Sequence, residues 1–249
     1  MTEKTIVPTG PGLTLDALTE SAGREALRRA DLLASWLASS AGRSVAQVIP
    51  GLRTRQRSEI QLDEAGVKAR GWNDGLAGYR RIHQGDALVI GRYDEERAIY
   101  FGPAFEGANG REPRKLHIGI DIYCDAGTEV IAPIDGHVHS FRNNAAPKDY
   151  GPTIILAHGI SAELEIYSLY GHLSRDSLVP LRPGDVITAG TPFARLGRPD
   201  ENGDWPPHLH FQFIADLLGQ SGDFPGAARS SERGFWTRLC PDPRLFLGL

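Results

Sequence analysis

The sequence predicts a mostly β (β+α) fold, in which a helical segment precedes an antiparallel β-sheet domain. Apolar residues recur at three- and four-residue steps between about residues 13 and 41, as in an amphipathic helix. Beyond Leu76, short runs rich in β-branched residues occur about every ten residues, with glycine and proline turn signals between them. We therefore expect an arm and helical segment over residues 1–76 and a β domain over residues 77–249.

The helical segment has one apolar stripe. A helix over about residues 13–41 places eight apolar side chains on one side: Leu15, Leu18, Ala22, Ala26, Leu27, Ala30, Leu33 and Leu37. A second helix is expected around Ser58–Arg70. Such a stripe must be buried, either against the chain's own β domain or against a second copy, so a homodimer through this helix is one expected arrangement.

The β domain is predicted from eight short runs that turn residues separate. The candidate strands are Ala98–Phe101, His117–Tyr123, Glu129–Ala132, Gly136–Phe141, Thr153–Ala157, Glu165–Tyr170, Pro192–Leu196 and His208–Ile214. Because short turns connect most of them, we expect antiparallel pairing.

Composition excludes several classes of protein. The chain has 249 residues, 41% of them hydrophobic, and a formal net charge of -4, which gives no basic surface for nucleic acid or an anionic membrane. No apolar run approaches the roughly 18 residues of a spanning helix. Residues 1–5 lack the features of a secretory signal, and the only two cysteines are expected to stay thiols. A cytoplasmic location is therefore expected.

Five histidine and aspartate residues carry the chemistry. They are His117 and Asp121, four residues apart, then His172, and then His208 and His210, two residues apart. In extended chain, residues two or four apart point to the same face. Three such side chains can hold a metal ion while leaving a position for water, and two further imidazoles can move protons. The set predicts a catalytic zinc site.

The order of these motifs resembles the M23 (lysostaphin-type, LytM-type) zinc metallopeptidases over about residues 100–215. Five segments carry the resemblance. Lys115–Ile122 resembles the family's first metal motif, and Gly127–Gly136 resembles the strand-turn-strand that follows it. Tyr170–Ser174 resembles the segment of the first catalytic histidine, Val179–Gly197 the glycine-punctuated hairpin, and Pro207–Phe211 the closing metal motif. A single His-x-His pair is weak evidence, whereas the ordered set is specific.

The resemblance implies a role for each residue. His117, Asp121 and His210 would bind Zn²⁺. His172 and His208 would lie beside the open coordination position as proton-transfer residues. Zinc lowers the pKa of bound water towards about 7, so a nearby imidazole can accept its proton.

Other histidines are expected to be structural. His137 and His139 form a second His-x-His pair, but they follow a turn where the resemblance places no ligand, so we expect an ordinary half-exposed strand. His158 and His83 receive the same interpretation. Cys124 is expected to be a small buried apolar residue, because it points away from Asp121 in extended chain.

The sequence departs from the family around the expected cleft. Trp205-Pro206-Pro207 precedes His208, and Gln212 stands where the family often has glutamate. Trp205 and Tyr150 are expected to contact the substrate in a cleft narrowed for a small ligand. The C-terminal tail is similar to that of M23-like modules joined to a kinase-like domain and an aminotransferase in intracellular multidomain proteins.

The sequence therefore predicts a zinc metallopeptidase-like hydrolase that cleaves a peptide or peptide-like amide with metal-activated water. One alternative is an intracellular zinc enzyme on the same scaffold that acts on a small amine- or amide-containing metabolite. Another is a non-catalytic M23-like module that binds a partner. The bond cleaved, the oligomeric state and the role of residues 1–76 stay open.

Overall fold

The fold is mostly β, as predicted. The computed structural model describes residues 20–39, 46–72, 82, 85–107 and 110–249. The helices are α1 (Glu20–Ala38), α2 (Glu64–Ala69), α3 (Arg233–Leu239) and α4 (Arg244–Leu247). The strands are β1 (Arg57–Ile60), β2 (Leu88–Gly91), β3 (Glu95–Glu96), β4 (Leu116–His117), β5 (Ile120–Tyr123), β6 (Glu129–Ile131), β7 (Gly136–Asn144), β8 (Gly151–Ser161), β9 (Leu164–Gly171), β10 (Val186–Ile187), β11 (Pro192–Arg195), β12 (His208–Ile214) and β13 (Ala227–Ala228).

One large sheet organises the molecule. Its eight strands run in the order β1-β2-β5-β12-β9-β8-β7-β10. Every pair is antiparallel except β1 with β2, which is parallel. Strand β12 lies between β5 and β9, so that His210 pairs with Asp121 on one side and Gly171 on the other. The pairing of β5, β12 and β9 therefore brings together motifs that are distant in sequence.

The two faces of β12 differ in chemistry because its residues alternate. Leu209, Phe211 and Phe213 point to one face, and the histidines and Gln212 point to the other. Phe213 contacts Trp36 of α1, with ring centroids 6.4 Å apart. Helix α1 and the C-terminal segment thus cover the apolar face, which leaves the opposite face for the polar site.

Helix α1 packs on its own chain. Its described part, Glu20–Ala38, falls inside the predicted range, while residues 13–19 and 40–41 of that range lie outside the described residues. Ala26, Ala30 and Leu33 are buried, and the helix contacts α3 and β9. The middle of the apolar stripe is therefore covered within the chain, and a homodimer stays a prediction.

The predicted helix at Ser58–Arg70 is wrong over its first part. Arg57–Ile60 forms β1, which pairs with β2 from Arg57 opposite Leu88. The helix begins only after Asp63, whose carboxylate accepts the Gly66 N–H at 2.8 Å. Four residues are too few for periodicity to separate a strand from a helical turn.

The predicted strand at Ala98–Phe101 is also wrong. The backbone N–H of Tyr100 donates to the Arg97 carbonyl at 3.3 Å and closes a turn. The ring of Tyr100 stacks on Phe105 at 4.3 Å. The stacking of these two rings favours a compact turn at this position, in place of an extended strand.

The first part of the chain contributes to the large sheet through β1. The predicted boundary at residues 76 and 77 lies outside the described residues, so the division into two parts stays a prediction. His83 lies outside them too. Among the described residues, no helix has the length and apolar character needed to cross a membrane.

Candidate metal centre

Three side chains from three strands converge on one point. Nε2 of His117 lies 3.1 Å from Nδ1 of His210 and 3.3 Å from Oδ1 of Asp121. Nδ1 of His210 lies 3.0 Å from the same Oδ1. All three residues are buried, and their donor atoms lie within 4.8 Å of one another. These are the residues for which the sequence predicts metal binding, and they form a group that could hold a metal ion.

Hydrogen bonds orient the two histidines of this group. Nδ1 of His117 donates to the Arg92 carbonyl at 2.8 Å, and Nε2 of His210 donates to Oε1 of Gln212 at 2.7 Å. In each ring the remaining nitrogen turns its lone pair towards the cluster. Burial lowers the pKa of His117 to about 4, which keeps that imidazole neutral. Two imidazoles and one carboxylate fit a zinc ion with an open fourth position.

Gln212 is held by several partners. Its amide donates to the Pro225 carbonyl at 3.2 Å, and its Oε1 accepts the Tyr150 hydroxyl at 3.2 Å. A neutral amide therefore serves as the acceptor for His210, and Asp121 stays the single negative charge among the three donors.

Arg97 was missed by the sequence analysis. Its buried guanidinium pairs with Oδ2 of Asp121 and donates to the Tyr100 hydroxyl at 3.1 Å. The Tyr123 hydroxyl also donates to Oδ2, at 3.3 Å. Because Oδ2 has these partners, Oδ1 is the oxygen that faces the histidines. In sequence, Arg97 belongs to a charge run that looks solvated, and charged residues are seldom fully buried.

The charge on Asp121 depends on this arginine. Burial alone would raise the pKa of the Asp121 carboxyl, but the Arg97 guanidinium and His117 hold it well below its usual range. The carboxylate is therefore ionised and able to bind a cation.

His172 and His208 form a second pair beside the metal group. Their ring centroids lie 4.2 Å apart, and Nε2 of His208 is 3.8 Å from Oδ1 of Asp121. Nδ1 of His208 donates to the Pro206 carbonyl at 2.7 Å, and Nδ1 of His172 donates to the Asn202 carbonyl at 2.9 Å. Each ring therefore keeps Nε2 as a proton acceptor.

Burial keeps this pair neutral. It lowers the pKa of His208 to about 4 and that of His172 well below its ordinary value. His172 also has a positive φ of 62°, an uncommon conformation for a residue with a Cβ. Its backbone N–H donates to the Tyr150 carbonyl at 3.0 Å, and its carbonyl accepts the Gly197 N–H at 2.9 Å. These bonds hold the strained residue in place.

A cavity of about 130 Å³ adjoins the site, and Asp121, His172, His208 and His210 line it. Tyr150 and Trp205, the predicted substrate contacts, line it too. The Tyr150 ring lies 5.1 Å from that of His210 and 5.6 Å from that of His172. The structure thus places the two residues that are predicted to contact the substrate beside His172 and His208.

The other histidines that the structure describes do not join this group. His137 and His139 are half-buried on β7, and His158 is buried with its Nδ1 2.8 Å from the Asp135 carbonyl. Cys124 is buried, as predicted. In the described part of the chain, His117, Asp121 and His210 are the one group of three or more histidine, cysteine or acidic residues arranged to hold a metal ion.

Comparisons with known proteins found a matching family model and a curated relative. The model of peptidase family M23 matches residues 115–221. A curated relative from Haemophilus influenzae, described as an uncharacterized metalloprotease, is 33% identical over 136 residues, which are 52% of this chain and 26% of the relative. This chain therefore spans about a quarter of that relative's length.

Two solved structures illustrate the wider similarity. The catalytic domain of the antimicrobial peptidase lysostaphin from Staphylococcus simulans is 22% identical, with a TM-score of 0.36, over 58% of this chain and 85% of that chain. A zinc containing peptidase from Vibrio cholerae is 24% identical, with a TM-score of 0.33, over 44% of this chain and 29% of that chain.

The matched segment contains all five histidine and aspartate residues of the site. Arg97, which pairs with Asp121, lies before it. Residues 115–221, which match the model of peptidase family M23, thus contain the buried histidine–aspartate group.

Proposed function

We propose that this protein is a zinc-dependent hydrolase that cleaves a peptide or peptide-like amide bond with metal-activated water. The observation that supports it is the convergence of three buried donor atoms within 4.8 Å, next to two neutral imidazoles. The M23 family match and the metalloprotease description of the relative point to the same class of enzyme.

Each side chain has a defined task in this proposal. His117, Asp121 and His210 hold the metal, which when bound supplies a Lewis acid and lowers the pKa of water. Nε2 of His208 or His172 accepts a proton and returns it to the leaving amine. The Pro206 and Asn202 carbonyls fix the two rings, so that neither ring needs to rotate during the transfer.

The size of the cavity favours a small substrate. Its volume of about 130 Å³ is below the roughly 300–1,000 Å³ of sites that enclose drug-sized ligands. The buried rings of Trp205 and Tyr150 bound it. This observation favours the second candidate function, in which the same zinc chemistry acts on a small amine- or amide-containing metabolite.

The proposal includes the location of the protein in the cell. We propose a cytoplasmic enzyme, and the two buried cysteines, which form no disulfide, agree with thiols kept reduced. The resemblance to modules joined to an aminotransferase stays a hypothesis.

The test combines metal quantification with an activity screen. Purified protein should carry about one zinc ion per chain and hydrolyse short peptides or small amides, and His208→Ala should keep the zinc and lose the hydrolysis. Zinc binding without hydrolysis of any probe would favour the non-catalytic module. Efficient zinc-dependent release of muropeptides from intact sacculi would instead indicate an enzyme that cleaves the peptidoglycan of bacterial cell walls.

A further inference from the structure

The buried guanidinium of Arg97 contacts the metal group at two places. It pairs with Oδ2 of Asp121, and its Nη2 donates to the Arg92 carbonyl at 3.3 Å. The same carbonyl accepts the Nδ1–H of His117 at 2.8 Å. The side chain of Arg97 is only 1% exposed, and it lines the same cavity as His210. One arginine therefore supports two of the three metal donors without being a donor itself.

Further contacts hold the guanidinium in this position. Its Nη1 donates to the Tyr100 hydroxyl at 3.1 Å, and its Cζ lies 5.5 Å from the centre of the Tyr100 ring. Its Nε lies 3.4 Å from the Glu95 carboxylate. Gly91 pairs with Asp121 across β2 and β5, and a Cβ atom at residue 91 would lie 2.9 Å from Nη2 of Arg97. The guanidinium therefore fills a space that exists because residue 91 has no side chain.

The two oxygens of Asp121 consequently have different surroundings. Oδ1 lies 3.0 Å from Nδ1 of His210 and 3.3 Å from Nε2 of His117. Oδ2 instead faces Arg97 and accepts the Tyr123 hydroxyl at 3.3 Å. A carboxylate can bind a metal ion through one oxygen or through both. A second oxygen of Asp121 would add a fourth protein donor, whereas a catalytic zinc site has three protein donors and an open position.

We propose that Arg97 is a positioning residue that reserves Oδ2 of Asp121, so that the carboxylate offers one oxygen to the metal and a coordination position stays open for the substrate. Moving Oδ2 to the ion would break a buried ion pair, which is strongly unfavourable. Arg97 acts through Asp121 and does not itself bind the ion. The inference rests on the proposed hydrolase function, and it adds a residue that lies before the segment matched by the family model.

The test uses Co²⁺ in place of zinc, because the visible absorption of Co²⁺ depends on the number and arrangement of its ligands. Arg97→Met should keep close to the wild-type content of Co²⁺ but show a changed spectrum, because Oδ2 becomes an additional donor. Calorimetry with acetohydroxamate measures access to the open position, and Arg97→Met should bind this probe at least about tenfold more weakly than the wild type. The zinc form of this variant should hydrolyse amides about 10–100-fold more slowly.

Three further variants separate the positioning of Asp121 from general stability. Arg97→Lys keeps a cation beside Oδ2 and should restore much of the wild-type spectrum and probe affinity. Gly91→Ala moves the guanidinium without removing it, and it should change both readouts in the same direction as Arg97→Met but less. Arg233→Met removes an exposed guanidinium that pairs with Asp94 outside the cavity, and it should change neither readout.

Loss of Co²⁺ from Arg97→Met to the same extent as from Asp121→Ala would overturn the inference, because Arg97 would then be needed to hold the ligand itself. A wild-type spectrum and probe affinity in Arg97→Met would overturn it as well. If Arg97→Met does not fold, Gly91→Ala decides: unchanged readouts overturn the inference, and a changed spectrum with weaker probe binding supports it. If the wild type hydrolyses no amide but the variants differ as described, the hydrolase proposal alone fails.

Discussion

Two His-x-His pairs with the same spacing have different surroundings in this molecule. His208 and His210 are buried on β12, a central strand, whereas His137 and His139 are half-buried on β7, next to the edge strand β10. Around His139 the register of β7 against β8 shifts between Val138 and Ser140. Its Nδ1 contacts the hydroxyl of its neighbour Ser140 at 2.8 Å. Spacing alone therefore does not identify a metal site.

The difference lies in what the neighbouring strands supply. His210 pairs with Asp121 across β5 and has its other nitrogen held by Gln212. His137 pairs with Ala157 and Val186, neither of which can ligate a metal. A ligand pair becomes a site only when strand register places a third donor beside it and hydrogen bonds fix the ring.

The largest expected effect is on metal binding. His117→Ala, Asp121→Ala and His210→Ala should each reduce zinc affinity more than about a hundredfold, the upper end of the usual cost of losing an outer hydrogen bond to a ligand. Elemental analysis after dialysis measures the zinc content. His137→Ala and His139→Ala are matched controls that should keep full occupancy. Zinc loss in either control, or full zinc occupancy in all three ligand variants, would show that the assignment of the zinc ligands is wrong.

The second effect separates catalysis from metal binding. His208→Ala and His172→Ala should keep most of the zinc but reduce kcat by roughly 10²–10⁴-fold, the contribution of a positioned acid or base. Zinc content and kcat are measured on the same preparations, with His139→Ala as control. If His208→Ala loses its zinc as His210→Ala does, then His208 is a ligand.

The third effect tests the support of His210. Gln212→Leu should weaken zinc binding by about 10–100-fold, because it removes the acceptor for Nε2 of His210. Competition with a chelator of known affinity measures the change. Gln212→Glu keeps an acceptor at this position and should bind zinc far better than Gln212→Leu. Equal affinity of the two variants would show that this hydrogen bond does not matter.

The smallest effect concerns His158, which is buried without any metal-binding partner. Burial lowers the pKa of His158 from 6.5 to about 4. As the pH falls, the unfolded chain therefore binds a proton at His158 before the folded chain does. The free energy of unfolding has the full contribution of the neutral His158 above pH 6.5, and this contribution is lost as the pH falls towards 4. One pKa unit corresponds to about 1.4 kcal/mol.

Thermal unfolding of the zinc-free protein from about pH 7.5 down to about pH 4, a window that includes the ordinary pKa of histidine, tests this point. The Tm of His158→Gln should fall less steeply with acidification than that of the wild type. The two slopes should agree above pH 7, where His158 is neutral in both states. Parallel curves over the whole range would show that His158 does not titrate as described.

Regular periodicity was the most reliable guide to the fold. The predicted bounds of β12, His208–Ile214, agree with the structure, and α1 falls inside its predicted range. The failures at Ser58 and Ala98 come from short segments whose structure depends on distant partners. Strand β1 forms only by pairing with β2, about 30 residues later, and such non-local pairing leaves little trace in a short sequence window.

The residues of the candidate site also divide into those that could be predicted from the sequence and those that could not. Strand alternation indicated that His208 and His210 share one face and that His117 and Asp121 can share another, and the resemblance to the M23 family implied that these residues meet. The role of Arg97 could not be predicted, because nothing in the sequence tells a buried charge from a solvated one. Arg97 precedes Asp121 by 24 residues and meets it only through the fold.

The contact of Arg97 with Asp121 connects the metal group to a part of the chain that precedes residues 115–221. Glu95 accepts the Leu62 N–H at 2.9 Å and pairs with Arg97, so a chain of contacts runs from Leu62 to Asp121. A fragment cut to residues 115–221 would retain every donor of the metal group but lose the cation that balances Asp121. If this chemistry is moved into another protein, by recombination or by cloning, the smallest portable unit must therefore begin before Leu62.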